Sequence, residues 1–189
     1  MRKVIYSPMV SLDGMIEGPN RNLDWTIPDE ELHRFINEQQ SAIDTHLYGR
    51  RMYEAMIYWE TADQDPSQPD YVLEFARIWK KLRKIVFSRT LEQVQGNARL
   101  VREDVADEIA RLKGQPGKDM VIGGASIASS VMRLGLVDEY RLFVHPVVVG
   151  SGTPMFPALD NPIKLRLVET RTFGSGVVYL CYQTDGKER

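Results

Sequence analysis

Short apolar runs, each closed by a glycine or serine turn and followed by residues at helical spacing, recur along this chain and leave few architectures open. Met120-Val121-Ile122 runs into Gly123-Gly124-Ala125-Ser126 and a helix to Leu134. Thr45-His46-Leu47-Tyr48 runs into Gly49-Arg50-Arg51-Met52-Tyr53-Glu54, which starts another helix. Val4 to Val10 reads as a buried first strand ending in Ser11-Leu12-Asp13-Gly14, and Lys84-Ile85-Val86-Phe87-Ser88 as a third strand. Strands that alternate with helices pair in parallel, because the intervening helix carries the chain back across the sheet.

The remaining pattern completes this picture. Pro28-Asp29-Glu30-Glu31 opens a helix in which proline suits the first turn and the acids suit the positive end of the dipole. Leu32, Phe35 and Ile36 form its stripe. Tyr71, Phe75, Ile78 and Leu82 mark a helix after the polar segment 61–70. Asp104 caps another, with Val105, Ile109 and Leu112 on one face. Tyr140 to Val149 is a long strand, and Leu165 to Phe173 and Val177 to Tyr182 form a hairpin around Gly174-Ser175-Gly176. The expectation is an α/β fold of three layers, with a mostly parallel central sheet and an antiparallel C-terminal hairpin. No repeat or linker divides the chain, so residues 1–189 read as one domain.

Composition narrows the partners. A formal net charge of -2 makes no electrostatic case for nucleic acid or an anionic membrane. Cys181 is the only cysteine, so neither an intrachain disulfide nor a thiolate metal cluster can form. The apolar start is broken early by Pro8 and Asp13, too soon for a signal peptide. His33, His46 and His145 show no ligand spacing, so no metal is expected. The chain reads as cytoplasmic.

Three strand-end segments suit an anionic, nucleotide-like ligand, which in open α/β sheets lies beyond the carboxyl ends of the strands. Gly49-Arg50-Arg51 sets backbone N–H groups and two guanidiniums at one turn. Ser88-Arg89-Thr90 offers a hydroxyl and a guanidinium as a clamp for one phosphate. Gly123-Gly124-Ala125-Ser126 lets a pyrophosphate approach the backbone at a helix start. It lacks the G-x-G-x-x-G spacing of common dinucleotide folds.

In this order the segments resemble the dihydrofolate-reductase-like superfamily. The resemblance continues through Gly135-Leu136-Val137-Asp138-Glu139-Tyr140, Pro146-Val147-Val148-Val149-Gly150-Ser151-Gly152 and Pro154-Met155-Phe156. The last two motifs look most like the reductase domain of riboflavin biosynthesis, which reduces a phosphoribosylamino-pyrimidine. The resemblance implies NADPH as cofactor, with Arg50, Ser88 and Arg89 on its 2′-phosphate. The backbone of Arg51 and Met52 and the turn Gly123 to Ser126 would receive the pyrophosphate, with Gly49 at the adjoining turn. Met9 and Ile16 would border the nicotinamide. It also implies a homodimer through the C-terminal β-structure.

Two substrate signatures differ from the relatives. The Asp-Pro-x-Leu-x-x-Arg stretch of riboflavin reductase domains is missing. The Trp-x-x-Pro segment of dihydrofolate reductases is present as Trp25-Thr26-Ile27-Pro28, but three acids follow it: Asp29, Glu30 and Glu31. Asp13 and Glu30 are the candidate catalytic carboxylates; Asp13 reads equally as a turn former before Gly14. Trp25 and Thr153 are candidate substrate contacts, and Thr153 could bond the Asp13 carboxylate. The leading function is reduction of a planar heterocycle, resembling 5-amino-6-(5-phosphoribosylamino)uracil reductase. A dihydrofolate reductase and a non-catalytic nucleotide-binding module are the alternatives.

Overall fold

Successive residues of the first strand point to opposite faces, and both faces are covered. In strand β1 (Val4–Tyr6), Val4 and Tyr6 join one apolar cluster and Ile5 another, and none is more than 2% exposed. The computed structural model describes residues 1–185; the last four residues of the expected 1–189 span lie outside them.

Beside β1 lie β7 (Asp119–Gly123) on one side and β8 (Glu139–His145) on the other, both parallel to it. Outward from β7 come β4 (Ile43–Gly49), β5 (Arg83–Phe87) and β6 (Ala98–Val101), also parallel. A short strand β2 (Met9–Ser11) continues beyond Pro8 and pairs with β8. On the far side of β8, β11 (Val178–Thr184) runs antiparallel, followed by β10 (Leu165–Thr172) at the edge. A separate two-stranded ribbon pairs β3 (Met15–Glu17) with β9 (Thr153–Pro154).

Helices α4 (Val105–Lys113) and α5 (Ala125–Arg133) pack Ile109, Leu112, Ile127 and Val131 against Val4, Leu47 and Ile122. On the other face, α1 (Glu30–Gln40) sets Leu32 and Phe35 on Phe143 and Tyr179. There α2 (Arg50–Met56) and α3 (Asp70–Lys81) close over Tyr48 and Val86 with Tyr53, Phe75 and Trp79. The three layers and the parallel sheet with its antiparallel C-terminal hairpin are as the sequence pattern indicates.

Local differences have local causes. The first helix begins at Glu30, not Pro28, because the Asp29 carboxylate takes the N-cap and accepts from the Leu32 N–H at 2.9 Å. The strand expected over 140–149 stops at His145: Pro146 lacks an N–H, and the Val147 N–H turns back to the His145 carbonyl. The polar segment 61–70 holds a short 3-10 turn at Ala62–Gln64. Strand β6, of four residues, and the β3–β9 ribbon, of three and two, are too short to announce themselves in sequence.

Candidate functional site

Sheet register brings the three glycine and serine turns to one rim. Tyr48 pairs with Gly123, and Gly49 with Phe87, so the carboxyl ends of β7, β4 and β5 finish level. Along this rim the order is Ser88, Gly49, Gly123, Met9–Ser11 and His145. Ser88 and Met9 stand three strand spacings apart, about 14 Å at ~4.8 Å per strand.

The Gly123-Gly124 turn is shaped by what lies beneath it. A Cβ at Gly123 would sit 2.5 Å from the Tyr48 ring, and one at Gly124 would sit 3.0 Å from Met52 Cβ. Gly124 has φ +100, which side chains rarely adopt, and it opens α5 with no side-chain cap. The first N–H groups of that helix therefore face the rim without a side-chain acceptor. A buried polar chain fixes Tyr48. Its hydroxyl accepts from Trp79 Nε1 at 3.1 Å and bonds His46 Nδ1, while His46 Nε2 meets Gln40 Oε1 at 2.8 Å. Burial, with a smaller push from Lys84, brings His46 down to about 3, so the imidazole is neutral. Its Nε2 then donates to Gln40, and its Nδ1 accepts from Tyr48.

At the β4–β5 end, Arg50 holds Glu54 at 2.7 Å and reaches the Thr90 hydroxyl at 3.1 Å, tying α2 to the Ser88–Thr90 turn. The Ser88 hydroxyl accepts from the N–H groups of Thr90 and Leu91. Arg89 is exposed and forms no salt bridge among the described residues. Arg102, absent from the sequence reading, donates to the carbonyls of Ser88, Arg89 and Leu91 and pins this turn. Gly49 has room for a side chain, its nearest neighbour being Ile127 Cβ at 3.9 Å, so the fold itself does not demand glycine there.

The acids are placed differently from the sequence expectation. Asp13 accepts from Ser11 Oγ at 2.6 Å, the Val149 N–H at 3.1 Å and the Gly150 N–H at 2.7 Å. These bonds bring its carboxyl down to about 2, so at neutral pH it is ionised and clasps two loops together. Thr153 bonds Glu17 Oε1 at 2.6 Å, not Asp13. Glu17 also meets Arg51 at 3.2 Å, linking the ribbon to α2. Glu17 joins Thr153 only through the β3–β9 pairing, which no local sequence signal reveals. Glu30 is exposed and paired with Arg34, and Glu31 accepts from the Gly174 N–H at 3.0 Å. Met9 packs in the cluster under α1, whereas Ile16 packs in the cluster under α4 and α5. Trp25 lines a cleft with Asp29 and His145.

An open parallel sheet with an uncapped glycine-opened helix and arginines along one carboxyl rim defines an α/β protein of the dihydrofolate-reductase-like fold. The chain belongs to the RibD C-terminal domain family, whose model matches residues 2–179. It is 40% identical to the uncharacterized protein YyaP of Bacillus subtilis (strain 168), over 98% of this chain and 96% of that one. A putative riboflavin biosynthesis protein from Shewanella sp. PV-4 superimposes with a TM-score of 0.77 at 20% identity, over 98% of this chain and 99% of that one. A dihydrofolate reductase from Enterococcus faecalis, complexed with NADP(H), does so with a TM-score of 0.63 at 17% identity, over 97% and 96%. No helix among the described residues is long and apolar enough to cross a membrane.

Proposed function

We propose that the protein is an NADPH-dependent oxidoreductase that reduces a planar nitrogen heterocycle, in the activity class of 5-amino-6-(5-phosphoribosylamino)uracil reductase. The observation that carries this reading is the Gly123-Gly124 turn, a cradle that any Cβ would fill, opening an uncapped helix above Tyr48 and Met52. Membership of the RibD C-terminal domain family supports reductase chemistry, and a dihydrofolate reductase of the same fold carries NADP(H).

In this reading NADPH supplies the hydride, and the chain's residues bind and orient. The N–H groups from Gly124 to Ser126, with the backbone of Arg51 and Met52 beside Gly49, receive the pyrophosphate. Ser88, Arg89 and Arg50 hold the 2′-phosphate, on a turn that Arg102 keeps in shape. Met9 and Ile16 border the nicotinamide, and Trp25 and Thr153 face the substrate side. Asp13 serves as a fixed negative charge that keeps loops 11–14 and 146–150 in register. Proton delivery falls to Glu30, exposed at the start of α1. The chain acts in the cytoplasm as a homodimer paired through the C-terminal hairpin.

The test is consumption of NADPH absorbance by purified protein across pyrimidines and pteridines. Oxidation with at least one ring is expected. Tight NADPH binding with no oxidation by any ring would leave a nucleotide-binding module and overturn the reductase reading.

A further inference from the structure

The opposite end of the sheet, at the amino ends of β5 and β6, gathers arginines rather than glycine turns. Parallel pairing sets Arg99 beside Ile85. Ile85 and Val101 pack in the cluster under α4, so Arg83 and Arg99, each two residues earlier on its strand, point to that same face. The last turn of α4 brings Arg111 to meet them. Between these three elements lies a cleft of about 250 Å³, lined by Arg83, Asn97, Ala98, Arg99, Arg111 and Gln115.

One buried acid organises the arginines. Glu108, 6% exposed, accepts from Arg111 Nε at 3.0 Å and Nη2 at 2.6 Å, and also from Arg99 Nη2. Burial would raise its carboxyl, but Arg111 and Arg99 overcome that and hold it below the usual range. Both guanidiniums stay nearly half exposed, with donors to spare. Arg83 is exposed and forms no salt bridge among the described residues. Three guanidiniums thus face the carboxylate of Glu108, with that of Glu103 acting on Arg111 from further off. Positive charge is in excess here, in a chain whose net charge is -2. Like charges crowded together cost stability, and an anion bound between them removes that cost.

The arrangement dictates the anion. Forks arriving from three separate elements call for at least three acceptor oxygens. A carboxylate offers two in one plane, whereas a phosphoryl group offers three arranged around a tetrahedron. The Gln115 amide adds an uncharged donor to the wall. The cleft is smaller than the roughly 300–1,000 Å³ of sites for drug-sized ligands, so it suits a small phosphorylated compound and not a dinucleotide.

We propose that this cleft is a second anion site, for a small phosphorylated metabolite, separate from the cofactor rim. Arg83 and Ser88 stand five residues apart along β5, about 16 Å at ~3.3 Å per residue. That is about twice the ~8 Å over which physiological salt screens a charge. The two sites therefore fill independently, and the inference does not rest on the reductase reading.

Calorimetry tests this with pyrophosphate and inorganic phosphate as probes and malonate as the carboxylate comparison, each titrated into protein free of NADPH and loaded with it. The loaded protein should still bind one pyrophosphate per chain, at least about tenfold more tightly than malonate. Arg83→Gln should weaken this binding by about tenfold or more, and Arg89→Ala, on the rim, should leave it within about twofold. Melting temperatures separate a binding role from a structural one. Without a multivalent anion Arg83→Gln should melt no lower than the parent, because it relieves repulsion, while pyrophosphate should raise the melting temperature of the parent alone. Malonate binding as tight as pyrophosphate, pyrophosphate binding displaced by NADPH or untouched by Arg83→Gln, or none at millimolar concentration would each overturn the proposal. Pyrophosphate binding that needs Arg83 in a protein with no affinity for NADPH would uphold the cleft and overturn the cofactor reading.

Discussion

The Tyr48 ring lies directly beneath Gly123, at a distance that leaves no room for a methyl group above it. Because His46, Trp79 and Gln40 fix Tyr48, the ring cannot move aside without breaking buried hydrogen bonds. Gly123→Ala should therefore cost about 1–3 kcal/mol of stability, the usual penalty for overpacking, and weaken NADPH and NADH alike. Thermal melts and dinucleotide titrations check this. Unchanged melting with full affinity would show that the turn shifts freely and that the cradle is not rigid.

Cofactor choice falls to the other end of the rim. Arg89 is exposed and free of salt bridges among the described residues, while Arg102 holds the carbonyls around it. A charge-assisted bond to the 2′-phosphate contributes roughly 1.5–3 kcal/mol, so Arg89→Ala should narrow the preference for NADPH over NADH at least about tenfold. Arg102→Ala should weaken NADPH binding too, by loosening the turn. Equal affinity of the unaltered protein for the two dinucleotides removes the 2′-phosphate assignment.

Asp13 gives a prediction with two parts. Asparagine keeps the shape of the side chain but replaces one acceptor oxygen by a donor, which then faces an N–H of Val149 or Gly150 or the Ser11 hydroxyl. Asp13→Asn should lower turnover on any active ring and also lower the melting temperature, since a loop clasp is lost. A variant that melts like the parent but turns over slowly would restore a purely catalytic role. One with normal turnover would leave Asp13 a turn former only.

How much of this was legible in the sequence depends on the range of the interactions. The layers, the parallel sheet and the turns at Gly49, Ser88 and Gly123 rest on local runs and punctuation, which sequence carries directly. The partners of the acids do not. Asp29, Glu30 and Glu31 stand side by side, yet the first caps a helix, the second pairs with Arg34 and the third reaches Gly174 in a distant hairpin. Glu17 and Arg102 act through residues brought near by strand pairing, so nothing beside them marks them out. Pro146 was a readable stop that the β-branched run Val147-Val148-Val149 obscured.

Acid stability offers a test in the core of the sheet. Burial would raise the Glu139 carboxyl, but Lys3 at 2.8 Å, Arg141 at 2.7 Å and Gln183 at 3.1 Å overcome it and bring it down to about 2. An unfolded glutamate titrates near ~4.3, so below that pH the unfolded chain binds the extra proton. The stabilisation, on the order of 2–3 kcal/mol, is thus present above about pH 4.3 and lost as the pH falls toward 2. Glu139→Gln should melt lower than the parent at pH 7, with the gap narrowing below about pH 4 and closing only as the pH nears 2. A gap that stays constant across that range would mean that the glutamate's charge contributes nothing.

The C-terminal edge sets the last prediction. Strand β10 is eight residues long, and its outer edge pairs with no strand among the described residues. Leu167 is 49% and Val168 46% exposed on it. Long edges with apolar side chains are open to pairing, and natural sheets either blunt them or use them. Here Arg166, Glu169 and Arg171 alternate along the same strand, charges that discourage random association yet can pair between two copies related by a twofold axis. A homodimer through this hairpin should therefore sediment at about twice the 21.6 kDa chain mass at micromolar concentration. Val168→Lys, on the exposed strand, should return it to the chain mass while leaving NADPH affinity intact, because the rim that holds Gly123 and Ser88 lies on the other side of β8. A parent protein that sediments as a single chain would show that β10 protects itself by its charges alone.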